Sequence, residues 1–205
     1  DGSLSGGEAL EGLDFAAELQ SNFIIIVNDN DMSIAENHGG LYQNLALLRK
    51  TDGQTECNLF KAMGLDYVYV DRGNDVAALI KAFKEVKDST KPVVVHINTL
   101  KGKGYAPAEK CKEQWHYSGP FNIETGKPLF DNVEEDYSSV TCEYLIEKMK
   151  NDSSVVAITS GTPTVMGFTE DKRKEAGSQF VDVGIAEETA VALASGVAVN
   201  GGKPF

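Results

Sequence analysis

The chain has 205 residues, a formal net charge of -12 and a hydrophobic share of 41%. This length and composition are typical of a globular protein with one large or two small domains. The excess of acidic residues argues against a nucleic-acid partner, because little in the composition would neutralise a phosphate backbone. Apolar runs such as 92–97 and 155–158 are far too short to span a bilayer, so we predict no membrane partner.

The cysteines bear on the redox setting of the protein, and the chain ends bear on whether the sequence is a fragment. Cys57, Cys111 and Cys142 are odd in number and in no metal-ligand spacing, which indicates a reducing, cytoplasmic setting. The chain does not begin with Met, and it starts and stops where motifs are already under way. We therefore expect it to be a fragment of a larger protein.

In chain order, the first half alternates helical and strand patterns. Apolar periodicity predicts helices over 6–20 and 74–87, the second of them capped by Asn74, and opening and breaking residues around them predict helices over 37–49 and 56–63. Continuous β-branched runs predict buried strands over 23–27, 66–70 and 92–97. Such alternation is typical of a parallel α/β sheet.

The second half repeats this pattern after a long irregular stretch. Residues 98–135 show little periodicity, which favours a linker combined with a functional loop. Beyond it we predict helices over 140–149, 168–176 and 185–199, strands over 154–159 and 179–183, and a further strand beginning near 203. The fold class is therefore α/β, with parts of two such domains.

Two polar turns bracket the first helix and strand. Asp1-Gly2-Ser3 precedes the helix, and Asn28 to Ile34 follows the strand. In a parallel sheet both turns would lie at the carboxyl edge, where Asp1 and Asn30 can offer oxygens to one hard cation. The helix N-terminus would face an anion. The pattern predicts a Mg²⁺-diphosphate site; the alternative is an ordinary Asn/Asp turn.

The spacing adds a family resemblance. Asp1-Gly2, with Asn30 placed 29 residues after Asp1 and followed by Met32-Ser33-Ile34, resembles the thiamine-diphosphate signature of the transketolase superfamily. Within it the chain is most similar to the 1-deoxy-D-xylulose-5-phosphate synthase family. The resemblance implies Mg²⁺ ligation by Asp1, Asn30 and the carbonyl of Met32. It also implies that Gly2, Ser3 and Asn30 contact thiamine diphosphate.

Two later strings extend the resemblance into the irregular stretch. Residues 101–109 and 114–121 are similar to a segment of the same family. The aligned positions imply that Tyr105 lies beside the cofactor and that His116 is a catalytic residue in the substrate channel. Taken without the family, these residues would be a solvated basic turn and a surface or core histidine.

A candidate acid lies in the second half. Residues 182–188 form a strand-to-helix turn that resembles the superfamily's Ile-Ala-Glu motif. The resemblance makes Glu187 the catalytic carboxyl group that binds the aminopyrimidine ring nitrogen of the cofactor; the alternative is a helix-N-terminal acid favoured by the dipole. The family usually continues with Gln-His, where this chain has Glu188-Thr189. The connection between Arg49 and Glu56 is also shorter than is usual.

The resemblance implies a function for the parent protein. The parent protein would be a thiamine-diphosphate- and Mg²⁺-dependent transferase that condenses pyruvate with glyceraldehyde 3-phosphate and releases CO₂. The resemblance also implies a role in isoprenoid, thiamine and pyridoxal biosynthesis and a cytoplasmic homodimer. Residues 1–97 would be the C-terminal part of the pyrophosphate-binding domain, 98–135 the linker and active-site loop, and 136–205 the N-terminal part of the pyrimidine-binding domain. The alternatives are ketol transfer of the transketolase type, and a non-catalytic fragment or subunit that needs a partner chain. The isolated chain is expected to be inactive.

Overall fold

The computed structural model describes residues 1–130 and 135–205. They form two compact units. The first contains Asp1–Ser33 and Gly39–Trp115, and the second contains Ile34–His38 and His116–Phe205. Each unit has parallel strands and flanking helices, which confirms the α/β class. Part of the predicted linker, residues 131–134, lies outside the described residues.

The first unit contains a three-stranded parallel sheet. Its strands are β1 (Ile24–Asp29), β2 (Asp66–Val70) and β3 (Val93–Asn98), in the order β1-β3-β2. The central strand β3 is almost entirely buried, as its run of β-branched residues predicts. The register pairs Val27 of β1 and Tyr69 of β2 with His96 of β3. All three carboxyl ends therefore meet at one edge.

Helices cover both faces of this sheet. A 3₁₀ turn at Gly2–Ser5 precedes α1 (Gly7–Ala16), followed by α2 (Gly40–Lys50), α3 (Leu59–Ala62), α4 (Val76–Val86) and α5 (Ala106–Lys110). On one face Leu13, Leu45, Leu48 and Phe60 from α1 to α3 pack in one core cluster with Val27 and Val94 of the sheet. On the other face, α4 packs in a second cluster with β2 and β3. The two faces of the sheet are thus buried by different helices.

Several helix ends differ from the sequence prediction by a few residues, and three of them lie in α1, α3 and α4. Helix α1 ends at Ala16, short of the predicted residue 20. Helix α3 begins only at Leu59, because the side chain of Asn58 accepts hydrogen bonds from two backbone amides of its first turn. The predicted cap of α4, Asn74, is wrong. Asp75 caps that helix, whereas the Asn74 side chain accepts a hydrogen bond from the amide of Leu100 (2.7 Å).

The second unit has the strand order β5-β4-β6, again parallel. Its elements are α6 (Tyr137–Asn151), β4 (Val155–Thr159), α7 (Glu170–Ala176), β5 (Phe180–Asp182), α8 (Glu187–Val199) and β6 (Lys203–Pro204). The core is formed by one side of α6, which clusters with Val155, Ala157 and Phe168. Strand β5 ends directly before the turn that carries Glu187.

Two features noted in the sequence are the three cysteines and the short apolar runs. Cys57, Cys111 and Cys142 are all free thiols, and only Cys142 is buried. Among the described residues, no helix is both long enough and apolar enough to cross a bilayer.

Candidate cation and diphosphate site

The three predicted cation ligands come together at the carboxyl end of β1. The backbone nitrogen of Asp1 donates to the carbonyl oxygen of Asn28 (2.7 Å). The Asp1 carboxylate accepts hydrogen bonds from the amides of Asn30 and Met32 through Oδ2 (both 3.2 Å) and from the amide of Gly2 through Oδ1 (2.9 Å). One carboxylate thus joins the turn before α1 to the turn after β1.

Two oxygens at this place are suited to an external partner. Asn30 Oδ1 and Ser33 Oγ are buried and have no hydrogen-bond partner among the described residues. Buried oxygens without a partner are costly, so such atoms often belong to a ligand or ion site. A hard cation such as Mg²⁺ accepts carboxylate, amide and backbone oxygens and completes its shell with phosphate and water. The donor set of Asp1, Asn30 and Met32 fits such an ion.

The same residues would not suit a softer metal. In the described parts of the chain, no group of three or more His, Cys, Asp or Glu side chains is placed to hold a metal ion. A zinc site normally takes its protein ligands from such side chains.

Gly2 lies in close contact with the second turn. A Cβ atom built on Gly2 would lie 2.8 Å from Ser33 Oγ and 3.0 Å from Ser33 Cα. Real Cβ atoms essentially never approach so closely, so any other residue would push the two turns apart. The neighbouring Ser3 is exposed within the 3₁₀ turn. The absence of a side chain at Gly2 therefore allows the close contact between the two turns.

Helix α2 supports both turns, which the sequence analysis missed. The hydroxyl of the buried Tyr42 lies 2.8 Å from the carbonyl oxygen of Gly2 and 3.2 Å from that of Asp1. Seven residues later, Arg49 pairs with Asp29 and Asp31 of the second turn. Positions seven apart lie on the same side of a helix, two turns from each other.

Asp29 is a buried charge beside the cation site. Burial alone would raise the pKa of its carboxyl group, but hydrogen bonds from His96 and Arg49 outweigh it and lower that pKa to about 2. Asp29 and His96 are both fully buried. The carboxylate is thus ionised at neutral pH, and its negative charge is neutralised by the guanidinium of Arg49.

Lys101 adds a cation on the other side of Ser33. Its ammonium group donates a hydrogen bond to the carbonyl oxygen of Ser33. Burial, followed by the nearby charge of Lys112, lowers the pKa of Lys101 below its ordinary value of 10.5. The sequence analysis quoted Lys101 only as part of a basic string. The structure brings it beside the turn that contacts Gly2, where a phosphate group would need a positive charge.

Tyr105 and His116 belong to different units. Tyr105 is half-buried in the first unit and is the N-cap residue of α5. Its ring contacts that of Trp115 edge-on, with centroids 5.1 Å apart. His116 is exposed and belongs to the second unit. Within the first unit, Trp115 therefore packs against the Tyr105 ring.

Glu187 is the first residue of α8 and is exposed. The turn before it is shaped by Asp182 at the end of β5. Asp182 Oδ1 accepts hydrogen bonds from the amides of Gly161 and Gly184 (both 2.9 Å). Gly161 has φ +77°, and a Cβ atom built on it would lie 3.2 Å from the carbonyl carbon of Gly184. A side chain at this position would therefore be strained. The position of Glu187 is therefore set by backbone contacts rather than by contacts of its own side chain.

Comparison with known proteins identifies the family. A sequence model described as 1-deoxy-D-xylulose-5-phosphate synthase matches residues 1–58 and 50–99. A 1-deoxy-D-xylulose-5-phosphate synthase of Listeria monocytogenes serotype 4b is 39% identical over 215 residues. Proteins of the same name from Lachnoclostridium phytofermentans and, as synthase 1, from Geobacter sulfurreducens are 37% and 34% identical. The chain belongs to this synthase family.

The match to the family has two further features. Each alignment covers 100% of the chain but only 35% to 38% of the relative, so the chain spans just over a third of the length of these curated relatives. The two matched pieces overlap at residues 50–58. This is the connection between α2 and α3, which the sequence analysis found shorter than in typical members of the family.

Proposed function

We propose that this chain forms part of a thiamine-diphosphate- and Mg²⁺-dependent 1-deoxy-D-xylulose-5-phosphate synthase. In the proposed reaction the bond between the carboxylate and keto carbons of pyruvate breaks, and CO₂ leaves. A new bond joins the keto carbon to the aldehyde carbon of glyceraldehyde 3-phosphate, with uptake of one proton. The observation that carries this proposal is the convergence of Asp1, Asn30 and Met32, with the buried Asn30 Oδ1 lacking a partner.

The first unit would bind the cofactor's diphosphate. Asp1, Asn30 and the Met32 carbonyl would hold Mg²⁺, and Gly2 and Ser3 would approach the phosphates with their amides. Lys101 would neutralise part of the phosphate charge. When bound, the thiazolium ring of the cofactor serves as the electron sink for loss of CO₂. Tyr105, packed against Trp115, would lie beside the cofactor, and His116 would face the substrates.

The second unit would supply the acid. Glu187 would hold a proton at the aminopyrimidine nitrogen of the cofactor. Its exposed position at the start of α8 supports a role toward a group that approaches from outside the helix. We propose that the full-length protein is a cytoplasmic homodimer. The product would feed isoprenoid, thiamine and pyridoxal biosynthesis.

An activity assay tests this function directly. The full-length protein is incubated with Mg²⁺, thiamine diphosphate, pyruvate and glyceraldehyde 3-phosphate, and both CO₂ and the five-carbon product are measured. We expect the two products in equal amounts. A parallel reaction replaces pyruvate with a ketose phosphate donor. Ketol transfer from that donor without CO₂ release from pyruvate would overturn the proposal in favour of a transketolase, which the change to Glu188-Thr189 keeps open.

A further inference from the structure

A line of polar side chains crosses the apolar face of the first sheet. His96 on the central strand β3 is hydrogen-bonded through Nε2 to Asp29 Oδ2 on β1 (2.8 Å) and through Nδ1 to the hydroxyl of Tyr67 on β2 (2.7 Å). Asp29 and Tyr67 lie two positions beyond and two positions before the residues that pair with His96. The three side chains therefore form a diagonal across all three strands, beneath α2 and α3.

Asp29 is held by side chains on two sides. His96 Nε2 lies 2.8 Å from Asp29 Oδ2, and His96 itself is held from the other side by the Tyr67 hydroxyl. Both carboxylate oxygens of Asp29 also accept hydrogen bonds from Arg49 Nη1 (2.7 and 2.6 Å). A buried carboxylate held in this way has little freedom to move.

The held carboxylate controls the turn that follows it. Asp29 Oδ1 accepts a hydrogen bond from the amide of Asp31 (3.1 Å), and Arg49 Nη2 binds the Asp31 carboxylate. Asp31 has φ +64°, a left-handed conformation that non-glycine residues seldom adopt. It lies between Asn30 and Met32, two of the three ligands in the proposed cation site. The network thus holds an unfavourable backbone conformation at the centre of that site.

We propose that Asp29 and Arg49 are positioning residues for the cation: they hold the Asn30–Met32 turn in the left-handed conformation that brings Asn30 and Met32 to Asp1. The inference rests on the proposed function for the presence of Mg²⁺. It adds residues that the resemblance did not assign. Partners that orient metal ligands typically change metal affinity by 10- to 100-fold when they are mutated.

The first test replaces Arg49 with lysine in the full-length protein. Lysine keeps the charge beside Asp29 but lacks the planar guanidinium that reaches three carboxylate oxygens. Mg²⁺ is titrated calorimetrically at a fixed excess of thiamine diphosphate, and amide hydrogen exchange of residues 29–33 is measured without metal. For Arg49→Lys we expect a Kd for Mg²⁺ at least tenfold higher and faster exchange of the turn. The matched control is Arg72→Lys, the same exchange at an exposed arginine that pairs with Asp75, and it should leave both readouts unchanged.

The second test separates backbone conformation from overall stability and does not rely on a buried residue. Asp31 has an exposed carboxylate, so Asp31→Ala and Asp31→Gly should both fold. Both lose the contact to Arg49, but only glycine adopts φ +64° freely. We expect Mg²⁺ affinity to fall several-fold more in Asp31→Ala than in Asp31→Gly.

Three outcomes would contradict parts of this account. Wild-type affinity in Arg49→Lys, or equal affinities in the two Asp31 variants, would overturn the positioning role and leave the proposed function intact. Absence of Mg²⁺-dependent cofactor binding in the wild-type protein would overturn both.

Discussion

The two candidate regions are built in different ways. In the first unit, Asp1, Asn30 and Met32 are joined by hydrogen bonds, and buried side chains of α2 and β3 hold them from behind. In the second unit, Glu187 is exposed at the start of α8, and the turn before it is held by backbone amides that donate to the Asp182 carboxylate. The first region is preorganised by packing, whereas the second presents one acid on a helix end.

This difference predicts how mutations will act. Changes to the buried groups that hold the first region should alter both cation affinity and the stability of the fold, whereas loss of a ligand oxygen there should alter affinity without loss of stability. Changes at Glu187 should alter chemistry and leave stability almost untouched. Four predictions test this contrast, beginning with the largest expected effect.

Glu187→Ala should lower turnover of the full-length protein by at least about 10²-fold, the usual contribution of a positioned acid. Because the side chain is exposed, the free energy of unfolding should change by less than about 1 kcal/mol, the value of a charge at a helix N-terminus. Steady-state kinetics and urea unfolding measure the two quantities. The matched control is Glu188→Ala, the exposed neighbour, which should retain turnover. Near-normal turnover in Glu187→Ala would refute its assigned role.

Asn30→Ala should raise the Kd for Mg²⁺ at least tenfold, since it removes a ligand oxygen. The metal-free protein should be as stable as wild type or more stable, because the oxygen that is removed is buried and has no partner among the described residues. Calorimetric titration and urea unfolding without metal check these opposite signs. A clear loss of stability without metal would mean that Asn30 serves the fold rather than a ligand.

The pH dependence of unfolding should report on Asp29. Its folded pKa of about 2 lies below the ordinary value of 3.8, so the unfolded chain binds more protons between these values. The stabilising effect is complete above about pH 4 and is lost as the pH falls to about 2, a change of about 2 kcal/mol. Urea unfolding at several pH values, compared with Asp29→Asn, isolates this contribution. Identical slopes for the two proteins would contradict the buried ion pair.

Tyr42→Phe should have the smallest effect. The variant keeps the buried ring but loses the hydroxyl contacts to the carbonyl oxygens of Asp1 and Gly2. We expect a loss of about 1 kcal/mol in the free energy of unfolding. Affinity for thiamine diphosphate should fall modestly, because the first turn becomes looser. A useful comparison is Tyr69→Phe, because Tyr69 is a partly buried tyrosine of β2 whose ring contacts that of His96. An equal fall in cofactor affinity there would argue against a specific role for Tyr42.

Local patterns in the sequence predicted much of the fold. The β-branched runs at 23–27 and 92–97 gave strands close to β1 and β3, because a doubly buried strand needs such residues. The boundaries of α3 and α4 were less predictable. Asn74 and Asp75 are both good capping residues, and the choice depended on the amide of Leu100, which is distant in sequence and occupies Asn74.

The candidate site was predictable only in part. Asp1 and Asn30 follow from the edge rule for parallel sheets, since each lies in a turn at the carboxyl edge. The line from Asp29 through His96 to Tyr67 could not be predicted, because these residues lie on three strands and come together only in the register that those strands adopt. Arg49 seemed an ordinary basic residue in the last turn of a helix. Only the packing of α2 on the sheet brings it to Asp29.

The most direct test of the central claim is a calorimetric titration of thiamine diphosphate into the full-length protein, with and without Mg²⁺. If Asp1, Asn30 and Met32 hold a cation that bridges to the diphosphate, affinity should rise at least tenfold with Mg²⁺ in the wild type. In Asn30→Ala the affinity should be nearly the same in both conditions. Equal affinity of the wild type with and without Mg²⁺, or an undiminished Mg²⁺ effect in Asn30→Ala, would contradict the claim.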